Sequence, residues 1–173
     1  YKGAPVSANM AGGTHHAFSE RGSGFCIFND LAICAIKAIE DYNYNRVLII
    51  DLDVHQGDGT AFIHKNEKEI YTFSMHCKEN FPFLKQESDF DLPLDQGTKD
   101  EEYLNKLYSI LPKILKIHNP DLIFYNAGCD VHQNDVFGKF SLTSKGIFLR
   151  DYFVFKTAAK NNTPIASVMG GGY

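Results

Sequence analysis

The sequence predicts an α/β domain built in three layers, with a mainly parallel sheet between two layers of helices. Short, β-branched apolar runs alternate along the chain with longer segments of helical periodicity, and polar side chains follow directly after several of these runs. Strands separated by helices form parallel βα units, and both faces of such a sheet are covered. Because ligands bind at the carboxyl ends of the strands in these sheets, we expect a functional site where the polar clusters meet.

Four strands are predicted, each from a short apolar run bounded by polar residues. These strands cover residues 46–51, 70–76, 122–125 and 165–169. Residues 1–27 are rich in Gly, Ala and Ser and are expected to form a loop. Residues 77–99 are predicted to form a second loop, and a loop of that length in a compact domain is usually functional.

Helix boundaries are predicted from capping residues. Asn29 is the expected N-cap of the first helix, and a short helix is expected over residues 60–65. Thr98 opens the pattern Thr-Lys-Asp-Glu, which is typical of a capping box, ahead of apolar residues at i, i+3, i+4 and i+7. Thr143 is the expected cap of a helix that runs to about Lys160.

Composition limits the possible functions. The 173 residues are 44% hydrophobic and 22% charged, as in an ordinary globular domain with a real core. A net charge of −4 without a basic patch argues against direct nucleic-acid binding, and no apolar run is long enough for a membrane span. The four cysteines form no CxxC pair and read as reduced thiols, so a cytoplasmic location is expected, or a nuclear one in a eukaryote. The sequence defines no oligomeric state.

Neither end of the sequence resembles the usual end of a domain. The sequence starts at Tyr1 without Met, and it stops after a glycine run that directly follows the last predicted strand. We therefore expect residues 1–173 to form one truncated domain.

Three polar residues follow the first predicted strand with a spacing of two. Side chains alternate along a strand, so Asp51, Asp53 and His55 point to one side. Burying two carboxylates and an imidazole together is costly unless something binds them. A divalent metal is the simplest explanation, although strand-end carboxylates that cap a turn are an alternative.

A third ligand is available after the third predicted strand. Asp130 ends the segment Asn-Ala-Gly-Cys-Asp, and with Asp53 and His55 it supplies the three protein ligands that a catalytic metal site needs. One imidazole and two carboxylates suit Zn²⁺, with Fe²⁺ as an alternative. Asp130 could instead accept backbone N–H bonds within its own loop.

Five motifs of this chain occur in the order seen in the histone deacetylase family, which the sequence resembles over nearly its whole length. They are Gly-Gly-Thr-His-His-Ala at 12–17, Gly-Ser-Gly-Phe-Cys-Ile-Phe-Asn-Asp at 22–30, Asp-Leu-Asp-Val-His-Gln-Gly-Asp-Gly-Thr at 51–60, Asn-Ala-Gly-Cys-Asp at 126–130 and Gly-Gly-Gly-Tyr at 170–173. Residues 80–83 and 88–91 look most like the bacterial and class IV branch.

The resemblance implies an arginase/deacetylase-like fold and zinc-dependent hydrolysis of the amide in an acylated lysine or amine. The substrate would then be an acylated lysine of a peptide or protein, or an acylated amine. In this chain, Asp53, His55 and Asp130 match the zinc ligands of the family.

The resemblance also implies catalytic roles. His15 and His16 match the tandem active-site histidines, and Asp51 and Asp58 match the acids that hold them. We expect His16 to be the general base and His15 to act mainly through its charge. Tyr173 matches the tyrosine that polarises the acyl carbonyl.

Further positions are implied to bind substrate or potassium. Gly24 and Phe25 match one wall of the acyl channel, and Gly171 is also assigned to substrate binding. Phe81 or Phe83 is expected to form the opposite wall, with Phe83 preferred, although both could be ordinary core aromatics. A structural potassium site is implied at the backbone oxygens of Asp51, Asp53 and His55, with Ser74 and Met75.

Three other functions remain open from the sequence. A deacetylase of small acylated amines such as polyamines would use the same scaffold and differ in channel shape, which depends largely on residues 77–99. A manganese ureohydrolase of the arginase fold would need further carboxylates that bridge two metals. The fragment could also be a non-catalytic binding module that keeps the fold.

Overall fold

The structure is a computed structural model that describes residues 5–173. Within this range, a single sheet contains six strands, and every pair of neighbours is parallel. The strands are β1 (Val6–Asn9), β2 (Val47–Asp51), β3 (Ile70–Cys77), β4 (Phe90–Leu94), β5 (Leu122–Asn126) and β6 (Ile165–Val168). Their order across the sheet is β1-β6-β5-β2-β3-β4.

Helices cover both faces of this sheet. They are α1 (Asp30–Tyr42), α2 (Asp58–His64), α3 (Asp100–His118) and α4 (Ser144–Lys160). The α1 and α2 helices contact each other and the central strands, whereas α3 and α4 contact each other. The predicted three-layer α/β fold is confirmed. Within the described range, no helix has both the length and the apolar composition that a membrane crossing requires.

The alternating side chains of β2 supply both halves of the core. Leu48 and Ile50 pack into the larger apolar cluster, which contains the buried residues of α3 and α4. Val47 and Ile49 pack into the smaller cluster beneath α1. All five residues of β2 are buried, as expected for a central strand of a parallel sheet. Asp51, the last residue of this strand, is therefore held in the buried centre of the sheet.

Two edge strands lie where the sequence predicted loops. The β1 strand lies within residues 1–27, and its four residues are exposed. The β4 strand lies within 77–99 and contains Pro93, which an edge strand tolerates because one side needs no ladder hydrogen bonds. Neither strand has the continuous apolar run that marks a buried strand. The loop predictions for these two segments are therefore wrong in part.

Two of the three predicted caps are confirmed. The Asn29 side chain accepts a hydrogen bond from the Ala32 N–H, and the Thr143 side chain accepts one from the Gly146 N–H. The capping box at Thr98 is wrong: α3 begins at Asp100, and the Thr98 hydroxyl donates to the Asp95 carbonyl instead.

Candidate active site

The carboxyl edge of the sheet brings the predicted polar clusters together. Asp51 is the last residue of β2, and its register partners are Ser74 on β3 and Asn126 on β5. The loop after β2 carries Asp53 and His55, and the loop after β5 carries the third proposed ligand. Because β2 and β5 end at paired residues, the loops that follow them meet above one edge of the sheet.

Asp53, His55 and Asp130 converge on one point. Each offers one ligand atom, these atoms lie within 4.8 Å of one another, and all three residues are buried. Nδ1 of His55 lies 3.0 Å from Oδ1 of Asp53 and 3.1 Å from Oδ2 of Asp130. Three buried nitrogen and oxygen donors in this arrangement fit a divalent cation that keeps an open coordination position.

Backbone N–H groups hold the two carboxylates of this cluster. The Gly171 N–H donates to Oδ2 of Asp53 over 2.8 Å, and the Val54 N–H donates to Oδ1 of Asp130 over 2.9 Å. We expected Gly171 to bind substrate; in the structure its N–H group contacts Asp53, one of the three candidate metal ligands. A Cβ atom at Gly171 would lie 2.2 Å from Oδ2 of Asp130, so this position has no room for a side chain.

The electrostatics of the cluster favour a cation. Burial raises the pKa of Asp130, and the neighbouring Asp53 carboxylate raises it further. Burial alone would lower the pKa of His55, but its hydrogen bonds to Asp130 and Asp53 outweigh burial and raise this pKa to about 9. The raised pKa values of Asp130 and His55 favour their protonated forms when no metal is bound, and a bound cation would replace those protons.

Two histidines beside the cluster each bind a carboxylate through Nδ1. Nδ1 of His15 lies 2.6 Å from Oδ2 of Asp51, and Nδ1 of His16 lies 2.6 Å from Oδ1 of Asp58. All four residues are buried. Each carboxylate fixes the orientation of its imidazole and directs the other ring nitrogen, Nε2, away from itself.

The two imidazoles differ in charge. Burial disfavours the charged form of His15, but the carboxylates of Asp51 and Asp53 outweigh this effect and raise its pKa to about 10. For His16, burial and the charge of His15 lower the pKa, and Asp58 only partly opposes them. At neutral pH, His15 is therefore cationic and His16 is neutral, which makes His16 the member of the pair that can accept a proton.

A cavity of about 380 Å³ leads from the surface to this cluster. It is lined by His16, Gly24, Phe25, His55, Asn80, Phe81, Val136, Phe137, Lys139 and Tyr173. Most of its wall is apolar and aromatic, as in sites that hold the aliphatic part of a ligand. Asn80 joins two sides of the cavity, because its side chain donates to the Phe137 carbonyl over 2.8 Å.

Phe81 lies in the cavity wall, and Phe83 does not. The Phe81 ring meets the His16 ring edge-to-face, with centroids 4.8 Å apart. Phe83 is 93% exposed, and its ring contacts that of Phe81 from outside. From the sequence we expected Phe83 to form this wall, whereas in the structure Phe81 forms it. Sequence could not separate two aromatic residues in one loop, since the backbone alone decides which points inward.

Tyr173 lies at the mouth of the cavity. Its ring centroid is 5.0 Å from that of Phe137, 6.3 Å from that of Phe25 and 6.4 Å from that of His55. The Tyr173 N–H donates to Oδ2 of Asp135 over 2.7 Å. Burial raises the pKa of Tyr173 to about 12, with the Asp53 carboxylate contributing, so its hydroxyl remains a donor at neutral pH.

Comparison with known proteins agrees with this geometry. A family model described as "Histone deacetylase domain" matches residues 2–173. This chain belongs to the histone deacetylase family. The six-stranded parallel sheet with helices on both faces is consistent with an arginase/deacetylase-like fold.

Curated relatives match almost the whole length of this chain. It is 50% identical to an uncharacterized protein of Picosynechococcus sp. over 97% of the chain and 56% of that protein. It is 36% identical to "Histone deacetylase 2" of Arabidopsis thaliana over 95% of the chain and 43% of that protein. It is 33% identical to "Acetoin utilization protein AcuC" of Staphylococcus aureus over 95% of the chain and 46% of that protein. The chain thus spans about half the length of the curated relatives it matches.

Sequence reasoning missed three residues of this candidate site. Asn126 donates to Oδ1 of Asp51 over 3.0 Å, and Asp135 accepts hydrogen bonds from the backbone N–H groups of Phe137, Gly138 and Tyr173. Arg150 donates to carbonyls of the loops that carry the candidate metal ligands. Asn126 belongs to a quoted motif and could have been found there. The contacts of Asp135 and Arg150 depend on tertiary packing, which no local pattern signals.

Proposed function

We propose that this member of the histone deacetylase family hydrolyses the amide bond of an N-acylated lysine in a peptide or protein. The convergence of Asp53, His55 and Asp130 beside the neutral His16, at the end of an apolar cavity, is the observation that carries this proposal. Residues 1–173 are proposed to form part of the catalytic domain.

Zn²⁺ is the proposed ion, and Asp53, His55 and Asp130 would hold it. When bound, such an ion lowers the pKa of water to about 7 and polarises the substrate carbonyl. Among the residues that the structure describes, the converging group has three ligands, which suits a mononuclear centre better than the bridged pair of a manganese ureohydrolase. Fe²⁺ would suit the same donors.

His16 is the proposed general base. Its imidazole is neutral at neutral pH, it lines the cavity, and Asp58 holds it by Nδ1, which leaves Nε2 for proton transfer. We propose that His16 removes a proton from the attacking water and then delivers it to the leaving amine. His15 stays protonated beside Asp51 and contributes positive charge to the site.

Tyr173 is the proposed donor to the acyl oxygen. The hydroxyl remains protonated because its pKa is raised, and the ring lies at the cavity mouth next to that of His55. A hydrogen bond to the carbonyl oxygen strengthens as that oxygen gains negative charge, so such a donor stabilises the transition state more than the bound substrate.

The cavity wall favours an acyl-lysine over an acylated polyamine. Gly24, Phe25 and Phe81 offer apolar contact to an uncharged aliphatic chain. Lys139 also lines this cavity, and its ammonium group donates to the Glu79 carbonyl over 2.9 Å, so the cavity carries a cationic side chain. A polyamine would bring further ammonium groups to this cation, and like charges in such proximity repel.

A structural potassium site near the end of β2 remains a proposal. The backbone oxygens of Asp51, Asp53 and His55 would contribute, together with Ser74 and Met75. The pairing of Asp51 with Ser74 across the sheet brings these segments together, which supports the assignment. A cation beneath the acidic loop would offset part of the negative charge of its carboxylates.

Metal content and activity of the full-length protein test this function. We expect about one zinc ion per chain and cleavage of an acetyl-lysine peptide in preference to an N-acetylated polyamine. Preference for the polyamine would support the deacetylase of small amines. A folded protein with neither bound metal nor amide hydrolysis would contradict the proposal and support a binding module.

A further inference from the structure

Arg150 lies in α4, outside the cavity. It nevertheless contacts the backbone of both loops that carry the proposed metal ligands, which follow β2 and β5. Its side chain is fully buried, although arginine is rarely found without access to solvent. Burying a guanidinium group costs free energy unless its N–H groups find partners, so those partners indicate what the residue does.

The partners are three backbone carbonyls and one carboxylate. Nη1 donates to the Leu52 carbonyl over 3.2 Å and to the Gly128 carbonyl over 2.7 Å, so one nitrogen joins two loops. Nη2 donates to the Ala127 carbonyl over 3.3 Å. Nε donates over 2.8 Å to Oδ1 of Asp151, which also accepts from the hydroxyl of Tyr125.

These carbonyls are adjacent to the proposed metal ligands. Leu52 directly precedes Asp53 in the loop after β2, and Gly128 precedes Asp130 by two residues in the loop after β5. A Cβ atom at Gly128 would lie 2.6 Å from both Cα and Oδ2 of Asp53. The two loops are therefore packed in direct contact, and Arg150 binds both of them from the side of α4.

We propose that Arg150 is a positioning residue of the metal centre, which sets the separation of Asp53 and Asp130 by joining the carbonyls of Leu52 and Gly128. The inference rests on the metal site of the proposed function. Without the guanidinium, the two loops would lose their shared donor, and their carboxylates would hold the ion in a less defined geometry.

The planar guanidinium suits this task better than an ammonium group. Its N–H groups diverge in a fixed plane, so Nη1 and Nη2 reach neighbouring carbonyls while Nε remains bound to Asp151. A lysine at position 150 would retain the positive charge but not this fork. Arg150→Lys therefore separates the geometric role of the residue from its charge.

Zinc affinity of the intact protein, measured by competition with a chromophoric chelator, tests the inference without relying on activity. For Arg150→Lys we expect affinity to fall by about 10- to 100-fold, as for other residues that orient metal ligands without binding the metal themselves. Leu107→Ala is the matched control, because Leu107 is fully buried in the same core layer and belongs to α3. That variant should lose thermal stability. Its zinc affinity should stay within about threefold of the wild type, since substitutions at well-separated sites affect the free energy independently of each other.

A second variant covers the case in which Arg150→Lys does not fold. Asp151 is partly exposed and orients the guanidinium, so Asp151→Asn should lower zinc affinity several-fold and alter the absorption spectrum of bound Co²⁺. If a folded Arg150 or Asp151 variant binds zinc as tightly as Leu107→Ala and gives the wild-type Co²⁺ spectrum, the positioning role is wrong while the metal site stands. A wild-type protein that binds no metal would overturn both proposals.

Discussion

Nδ1 of His16 lies 2.6 Å from Oδ1 of Asp58, and this contact joins the loop before α1 to the first residue of α2. The carboxylate fixes the tautomer of the imidazole, because Nδ1 carries the proton that Asp58 accepts. Gly24 lies against the ring, since a Cβ atom there would be 2.5 Å from Cδ2 of His16. The imidazole is therefore held in one orientation with Nε2 free for proton transfer.

Removing this imidazole should abolish most of the turnover. We expect His16→Ala to lower kcat on an acetyl-lysine peptide by about 10²- to 10⁴-fold, the usual contribution of a general base. Zinc content should be unchanged, because His16 is not a proposed ligand. His118→Ala is the control, since His118 ends α3 beside the Val47 carbonyl, at the opposite edge of the sheet. Wild-type turnover in His16→Ala would remove the assignment.

The pH dependence should follow the lowered pKa of His16. Burial and the charge of His15 favour its neutral form, which is the form that accepts a proton. At saturating zinc, kcat/KM should therefore rise with pH and level off, with an acid-limb pKa below 6.5, the ordinary value for histidine.

Asp58→Asn supplies the control for this profile. The Asp58 carboxylate raises the pKa of His16, so its neutralisation should move the acid limb to lower pH. An acid limb above pH 7 in the wild type, or a shift to higher pH in the variant, would contradict this account of His16.

Asp130→Asn tests the metal site with little change of shape. The amide oxygen can still accept from the Val54 N–H, but the negative charge of the ligand is lost. We expect zinc affinity to fall by more than about 100-fold, because substituting residues that only orient metal ligands already lowers it by about 10- to 100-fold. Asp41→Asn, on the exposed side of α1, should bind zinc like the wild type. Equal zinc affinity in both variants would exclude Asp130 as a ligand.

The central elements of the fold were predictable because burial imposes a pattern on them. The β2 strand is buried on both faces, so its run from Val47 to Ile50 is continuously apolar. The exposed β1 strand has no such requirement, and nothing in its composition separates it from a loop. The capping box at Thr98 failed for a different reason. Asp100 instead accepts from both the N–H and the hydroxyl of Thr143, a tertiary contact that local spacing does not reveal.

The site was predictable where its residues lie in short, ordered motifs. Asp53 and His55 follow one strand, and parallel strands bring Asp130 to the same edge. The orientation of Phe81 and the contacts of Arg150 depend on how distant segments pack, so local sequence does not determine them. Local sequence thus predicted the chemical groups, whereas tertiary structure decided which neighbours position them.

Tyr173→Phe tests the donor to the acyl oxygen. Loss of the hydroxyl should lower kcat by about 10²- to 10³-fold and leave KM nearly unchanged, as for other donors to a developing oxyanion. The ring contacts with Phe25 and Phe137 would be retained, so the cavity should keep its shape. Tyr152→Phe, on the exposed face of α4, is the matched control. A Tyr173→Phe enzyme with raised KM and normal kcat would indicate a binding role instead.

The neighbouring residues Phe81 and Phe83 offer a direct test of the cavity wall. Phe81 packs edge-to-face on His16, whereas Phe83 lies outside it and is almost fully exposed. Phe81→Ala should lower kcat/KM for an acetyl-lysine peptide roughly tenfold or more, because it removes apolar contact from the bound chain and support from the His16 ring. Phe83→Ala should change kcat/KM less than about threefold, as is usual for a surface substitution. The reverse order of these two effects would show that the outer ring, rather than the inner one, contacts the substrate.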